Sequence, residues 1–297
     1  GSFSSDLNIA DKIVHLGDTD TTIRFPSADT ITAETAGSEA LRVDSGQRLL
    51  KGLTTARGNY GNNTSGVDYG LQVEGLNALN STIALVRNSN DANDGGIVLG
   101  KTRATSVGGN TVVQAGDDLG TITWAGSDGT SLQFGAEILA EVVSGVGDDD
   151  LPADLIFKTN GGSTSTTERL RITSSGGFNF SNGELIEKCH INSTAWSTTG
   201  TVNLDNGMVQ YNSANLAGTT NTLDIISSTG INTSMATGDM MSVTCITAVN
   251  AATAYVNNIT IDGIAATESW VGGSAPSDGG SSGVDTYAFN IIKTADA

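Results

Sequence analysis

"LIFKTNGGSTSTTERLRITSSGG" occupies residues 155–177. The apolar Leu155, Ile156 and Phe157 meet a run of Gly, Ser and Thr. Glu168, Arg169, Leu170, Arg171 and Ile172 follow, with charged and apolar side chains interleaved, and then a second Gly turn. Alternation over so few residues, bounded by turn formers, predicts two short half-buried strands joined by a polar loop. A related phrase, "EALRVDSG", stands at residues 39–46, and its Glu39, Leu41, Arg42 and Val43 match Glu168, Leu170, Arg171 and Ile172 at an offset of about 129. Strands this short do not build a core by themselves. A recurring unit of this kind suits an extended assembly of quasi-repeated layers.

The rest of the chain has the same texture. Its 297 residues include 38 Gly and only 3 Pro, and many short apolar runs punctuated by turns read as all-β. Residues 13–25 predict a hairpin turning at Gly17, Asp18, Thr19 and Asp20. Residues 31–43 alternate more weakly, and 57–70 read as a loop. Short strands are predicted at 71–73, 83–86 and 97–99, with a loop tip at 88–96. Ile122 and Trp124 share a face. Leu132, Phe134, Ala136, Ile138, Ala140 and Val142 follow at strict i+2 spacing, which predicts a long strand. A short helix through "AEILAEVV" is the rival, because its residues are good helix formers.

Beyond Gly183 the predicted strands lengthen: 185–191, 201–204, 208–211, 223–226, 240–249, 255–261 and 287–292. Seven strands in so short a stretch fit an antiparallel sandwich of jelly-roll type. The expected division is a β segment at 1–56, a β-rich middle region at 57–183 and the sandwich at 184–297. Residues 272–283, "GGSAPSDGGSSG", predict a long exposed loop.

The net charge of −18 opposes binding to nucleic acid and to anionic membranes. No apolar stretch approaches the ~20 residues needed to span a bilayer. No signal peptide is read, and the leading Gly1 and Ser2 have the character of a cloning remnant. Cys189 and Cys245 are expected as two free thiols, with a single bridge between them as the alternative.

Several phrases carry a resemblance. "LNIADKIVHLGDTDTTIRF" (7–25) with "ETAGSEALRVDSGQRLL" (34–50) resembles tail-fibre and related structural proteins of marine tailed bacteriophages, notably those of cyanobacteria. "LPADLIFKTNGGSTSTTERLRITSSGG" (151–177) is similar to a segment common in phage fibres. Pro152, Leu155, Phe157, Thr159, Glu168, Arg169, Leu170, Arg171, Ile172 and Gly176 fill its pattern. The resemblance implies an elongated homotrimeric fibre of short layered strands, carried on the virion and made in the host cytoplasm. It also implies other tail or virion proteins, and a host-surface glycan or outer-membrane protein, as partners. In such fibres this segment often leads into a self-cleaving chaperone; here the sandwich-like block follows instead.

No catalytic constellation emerges. His15 and His190 lack metal-ligand spacing. Asp148, Asp149 and Asp150 lack the alternation of a calcium loop and read as a solvated turn. With His190 they are the nearest approach to a metal site. Paired carboxylates for sugar hydrolysis cannot be identified from an acidic chain, and "GGNTVVQAG" lacks the Lys of a phosphate loop. No cofactor and no enzymatic activity are expected. Aromatic rings and loops of the C-terminal block offer a binding rim, for which Trp196, Trp270, Ser274, Asp278 and Tyr287 are the named residues. The alternative is that the rings close the ends of the sandwich. The functional expectation is non-catalytic adhesion to the host surface. The alternatives are a purely structural collar, head or decoration fibre, and a polysaccharide-degrading tailspike.

Overall fold

The structure, a computed structural model, describes residues 8–58, 60, 68–217 and 221–296, with residue 221 described in its backbone only. Gly1 and Ser2, and most of the loop expected at 57–70, lie outside the described residues. The chain divides into two units, Gly1–Glu184 and Leu185–Ala297. Both are built of β-strands.

The first unit holds two sheets. One contains β1 (Lys12–His15), β2 (Asp18–Arg24), β3 (Ile31–Thr35), β4 (Ser38–Val43), β5 (Leu49–Lys51) and β6 (Leu71–Val73), hydrogen-bonded in chain order. The weak alternation of 31–43 is two strands, reversed at Ala36 and Gly37, both with positive φ. The second sheet contains β7 (Asp118–Ser127), β8 (Leu132–Val142), β9 (Ala153–Thr159), β10 (Thr167–Ile172) and β11 (Phe178–Asn179) in antiparallel succession. The helix-prone "AEILAEVV" is therefore strand. Its i+2 pattern breaks once. Phe134 pairs with Ala125 but Ala136 pairs with Trp124, so Gly135 is the extra residue of a bulge and Phe134 faces away from Ala136.

Residues 83–86 and 97–99 are not strands. A strand exists only where a partner supplies backbone hydrogen bonds, and among the described residues none does so there.

The second unit has β12 (His190–Asn192), β13 (Thr199–Asn203), β14 (Val209–Asn215), β15 (Asn221–Ile226), β16 (Met240–Val249), β17 (Val256–Ile261), β18 (Ile264–Ala265) and β19 (Gly283–Ile292). They form two four-stranded sheets, β12-β14-β16-β19 and β13-β15-β17-β18. Successive strands up to β17 alternate between the sheets, so each return to a sheet arrives parallel to its predecessor. β12, β14 and β16 pair in parallel, as do β13, β15 and β17. Only β18 and β19 add antiparallel edges. The antiparallel jelly-roll expectation is corrected here: the unit is a short two-sheeted parallel coil closed by antiparallel strands. Period-2 alternation marks a half-buried strand but carries no strand direction, which is why the sequence misled. The predicted strand at 185–191 is likewise only β12, and Leu185 and Ile186 are exposed.

The inner faces of these two sheets share one core. Val202, Leu223, Ile225, Val256 and Ile259 come from one sheet, and Val243, Cys245, Val249 and Tyr287 from the other. Full burial of each large aliphatic side chain contributes about 1.5–3 kcal/mol.

Candidate assembly faces and loop rim

The repeated phrase has one structure in both copies. In β4, Glu39 pairs with Glu34 while Leu41 pairs with Ala33, so Ala40 is an extra bulged residue. In β10, Glu168 pairs with Lys158 while Leu170 pairs with Phe157, so Arg169 is the extra one. Without a bulge, residues three apart point to opposite faces; the bulge returns them to the same face. Arg42 thus reaches Glu39 through two bonds, Nε to Oε1 at 2.8 Å and a terminal nitrogen to Oε2 at 2.6 Å. Arg171 reaches Glu168 in the same way at 3.1 and 2.8 Å.

The turn that follows is also shared. The Gln47 N–H donates to the Asp44 carbonyl, and the Gly176 N–H to that of Thr173. The Asp44 N–H donates to Arg48 O and the Thr173 N–H to Gly177 O. Gln47 (φ 61°) and Gly176 (φ 86°) both take the left-handed conformation. Leu49 then pairs with Val43, and Phe178 with Ile172. The offset of 129 therefore runs through bulge, turn and return strand.

Each sheet has one apolar face that its own unit leaves partly open, from half-buried to half-exposed side chains. In the first sheet, Ile13, Ile23, Ala33 and Leu41 stand in one cross-strand row. Ile31, Val43, Leu49 and Leu71 form a second row on the same face. The large residues of these rows are 37–54% exposed. The opposite face is the covered one. There Arg24, Thr32, Arg42, Leu50 and Gln72 are aligned across five strands, with Thr32, Leu50 and Gln72 buried.

The second sheet repeats this arrangement. Ile122, Ile138, Phe157 and Leu170 form one row of its open face, and Ala140, Leu155, Ile172 and Phe178 another. Trp124 and Phe178 on this face are more than half exposed. On the other face Leu139 and Ile156 are buried beside Arg171. That guanidinium also donates to Glu141 at 3.0 Å and Asp154 at 2.8 Å. Hydrogen bonds to the three carboxylates raise the Arg171 pKa. Its guanidinium is the first cause holding Asp154 and Glu168 below the usual carboxylate range. Sequence reading singled out Glu168 and Arg171 but missed Glu141 and Asp154, because their meeting depends on the register of β8, β9 and β10.

The named rim residues part company. Trp196 and Tyr287 lie in the core of the second unit. The Trp196 ring sits over Gly200, where a Cβ would come within 2.2 Å of it. The Tyr287 hydroxyl accepts the Val256 N–H at 3.0 Å and joins the two sheets. Both rings are thus covered by the unit's own core, as in the alternative that the rings close the ends of the sandwich. Trp270 is partly buried against the core, edge-on to Phe289 at 6.5 Å, and its indole N–H donates to Glu268 at 2.7 Å. Ser274 and Asp278 are exposed on the 272–282 loop. That loop is tied down near its end, where the Gly280 N–H donates to Asp285 at 3.0 Å and the Gly279 N–H to Ala252 O at 2.8 Å.

Asp148, Asp149 and Asp150 are exposed in a turn, and His190 is half-buried on β12. Among the described residues, no three His, Cys, Asp or Glu side chains gather as a metal set. Cys189 and Cys245 are both free thiols, and burial pushes the Cys245 thiol up to about 12. Among the described residues no helix is long and apolar enough to cross a membrane.

No protein-family model and no curated protein matches the chain. Similar solved structures include the carboxy-terminal domain of the bacteriophage T5 L-shaped tail fibre. Its sequence identity is 15% and its TM-score 0.43, over 60% of this chain and 80% of that one. The same domain with its intramolecular chaperone domain is 15% identical with a TM-score of 0.45, over 60% of this chain and 55% of that longer one. At this level of likeness no residue role or activity transfers.

Proposed function

We propose that the chain is the subunit of a homotrimeric tail fibre of a marine tailed phage, and that it adheres to the host surface without catalysis. The observation that carries this reading is the partly open apolar face on each sheet of the first unit. A sheet that covers its Arg/Glu face and leaves Ile, Leu, Val and Trp partly exposed on the other is suited to pack against other copies. The area agrees. A compact monomer of 30.2 kDa exposes about 11,700 Å², and two independent domains of these lengths about 14,000 Å². This chain exposes 19276 Å². The sequence resemblance to phage fibres supplies the biological setting.

Adhesion falls to the exposed loop of residues 272–282, with Ser274, Asp278 and the accessible edge of Trp270, presented on the rigid second unit. Several fibres binding together strengthen contacts that are individually weak. The charge of −18 per chain, tripled in a trimer, opposes approach to an anionic envelope in dilute buffer. At marine ionic strength the screening length falls to roughly 4 Å, and short-range contacts decide.

The test is light scattering on the purified chain, with labelled protein incubated with marine bacterial strains. A mass near three times 30.2 kDa and staining of some strains, undiminished at marine salt, is the expected result. A monomer defeats the fibre reading. A trimer that stains no strain makes the chain a structural virion part rather than an adhesin.

A further inference from the structure

Residues 82–104 are the least explained part of the chain. Two runs without turn or bend, 82–89 and 93–104, flank a bend at 90–92. Among the described residues, the only backbone group from Thr82 to Lys101 with a hydrogen-bond partner is the Asn93 N–H, which donates to Asp91 Oδ1 at 2.9 Å. The side chains are not those of a solvated loop: Ile83, Leu85, Val86, Ile97 and Val98 are 58–93% exposed.

Both ends are fixed. Before the strip, the Lys51 ammonium donates to Asn80 O at 3.0 Å. Toward its end, Arg103 pairs with Asp117 at 2.7 Å, and Leu99 lies so close to Gly120 that a Cβ there would approach Leu99 Cβ to 2.5 Å. The bend is held by Arg87 on Asp91 at 2.7 and 2.8 Å. A segment pinned at both ends and at its bend, with unpaired backbone and apolar side chains, has the form of a strand pair without its neighbours.

We propose that residues 82–89 and 93–104 become β-strands by pairing with the backbone of a second copy of this chain. The inference rests on the homo-oligomeric reading above. Three observations select a second copy over a foreign partner. The strip runs from β6 to β7, which are free edge strands of their two sheets, so each copy carries both the unpaired strip and unpaired edges in equal number. The chain's excess exposed area, roughly 5,000 Å² above even two compact domains, exceeds both the ~800 Å² per partner of a standard interface and the roughly 1,000–2,500 Å² per partner of an obligate one, so it leaves room for contacts with more than one further copy. Finally, the cations of the strip are paired within the chain, Arg87 with Asp91 and Lys101 and Arg103 with Asp117, which leaves only Asp94 to favour an oppositely charged surface.

The experiment is hydrogen exchange on the full chain, after light scattering has established its mass. In the oligomer, amides of residues 83–86 and 97–99 should exchange roughly a hundredfold or more slower than those of the 272–282 loop. A benzophenone-bearing residue replacing Leu85 should cross-link to a peptide of another copy, identified by mixing isotopically light and heavy chains. Leu85→Asp with Ile97→Asp should lower the oligomer's mass while the melting of the second unit persists. A confirmed oligomer whose strip exchanges like the loop, or cross-links only within its own copy, overturns this inference and leaves the fibre reading intact. A monomer overturns both.

Discussion

The second unit closes its two sheets on each other and buries Leu223, Ile225, Val202 and Val243 completely. The first unit is built differently: each of its two sheets keeps one apolar face partly open, while the other face buries Leu50, Leu139 and Ile156 together with Thr32 and Gln72, beside the half-buried Arg171 hub. On the proposed fibre reading, stability in the second unit is a property of one chain, whereas in the first it depends on the concentration of copies. Leu223→Ala tests the first half of this contrast. It should cost the second unit about 2–5 kcal/mol, with a lowered melting temperature that does not change with protein concentration. Val43→Ala, on the open face, removes a side chain that is 37% exposed in the single chain. Its effect should appear as a melting temperature that falls further on dilution, since on the fibre reading it is assembly that buries it. Equal, concentration-independent losses at the two sites would break the comparison.

The two copies of the Glu-Arg hairpin sharpen it further. Arg42 has one close carboxylate, Glu39, whereas Arg171 has Glu168, Asp154 and Glu141. Arg171→Met strands three carboxylates on a half-covered face and should cost about 2–3 kcal/mol once solvent access is allowed for. Arg42→Met should cost about 1 kcal/mol. The pH dependence follows from the same contacts. Asp154 and Glu168 have folded pKa values below their unfolded ones, so their stabilisation is present at neutral pH. It is lost as pH falls from the ordinary carboxylate range through the depressed values. Acid titration followed by circular dichroism should show this loss in the parent and a flatter profile in Arg171→Met. An unchanged profile would mean that other carboxylates govern acid unfolding.

What the sequence made legible follows from what is local. The i+2 alternation from Leu132 to Val142 identified β8, and the Met240–Val249 run identified β16 residue for residue. The repeated phrase was visible because Glu, Leu, Arg and the turn recur at fixed spacing. The bulge that makes Glu39 meet Arg42 has no letter of its own, since Ala40 and Arg169 fill the same place. Strand direction in the second unit was illegible for a similar reason: a parallel and an antiparallel partner ask the same alternation of β14. For Trp196 and Tyr287 the sequence leaves rim and core both open, because aromatic character says nothing of which sheet will cover the ring; the structure places both in the core. At 83–86 and 97–99 the residues have strand character, and among the described residues no backbone partner realises it.

The smallest expected effect concerns the hairpin turn. Gln47 and Gly176 occupy the same left-handed position, but only Gly176 adopts it without a Cβ penalty. Gln47→Gly relieves that strain while adding freedom to the unfolded chain, so the net gain should be about 0.5 kcal/mol. Gly176→Ala imposes the strain and should cost about 1 kcal/mol, since the alanine cannot relax without breaking the Gly176 N–H bond to Thr173 O. Chemical denaturation of each variant measures both signs. Opposite signs confirm that one backbone conformation underlies both copies, and that the first copy tolerates the less suited residue. If Gly176→Ala were neutral, the second turn would have another conformation available. The shared 129-residue offset would then describe strand register without describing the turn.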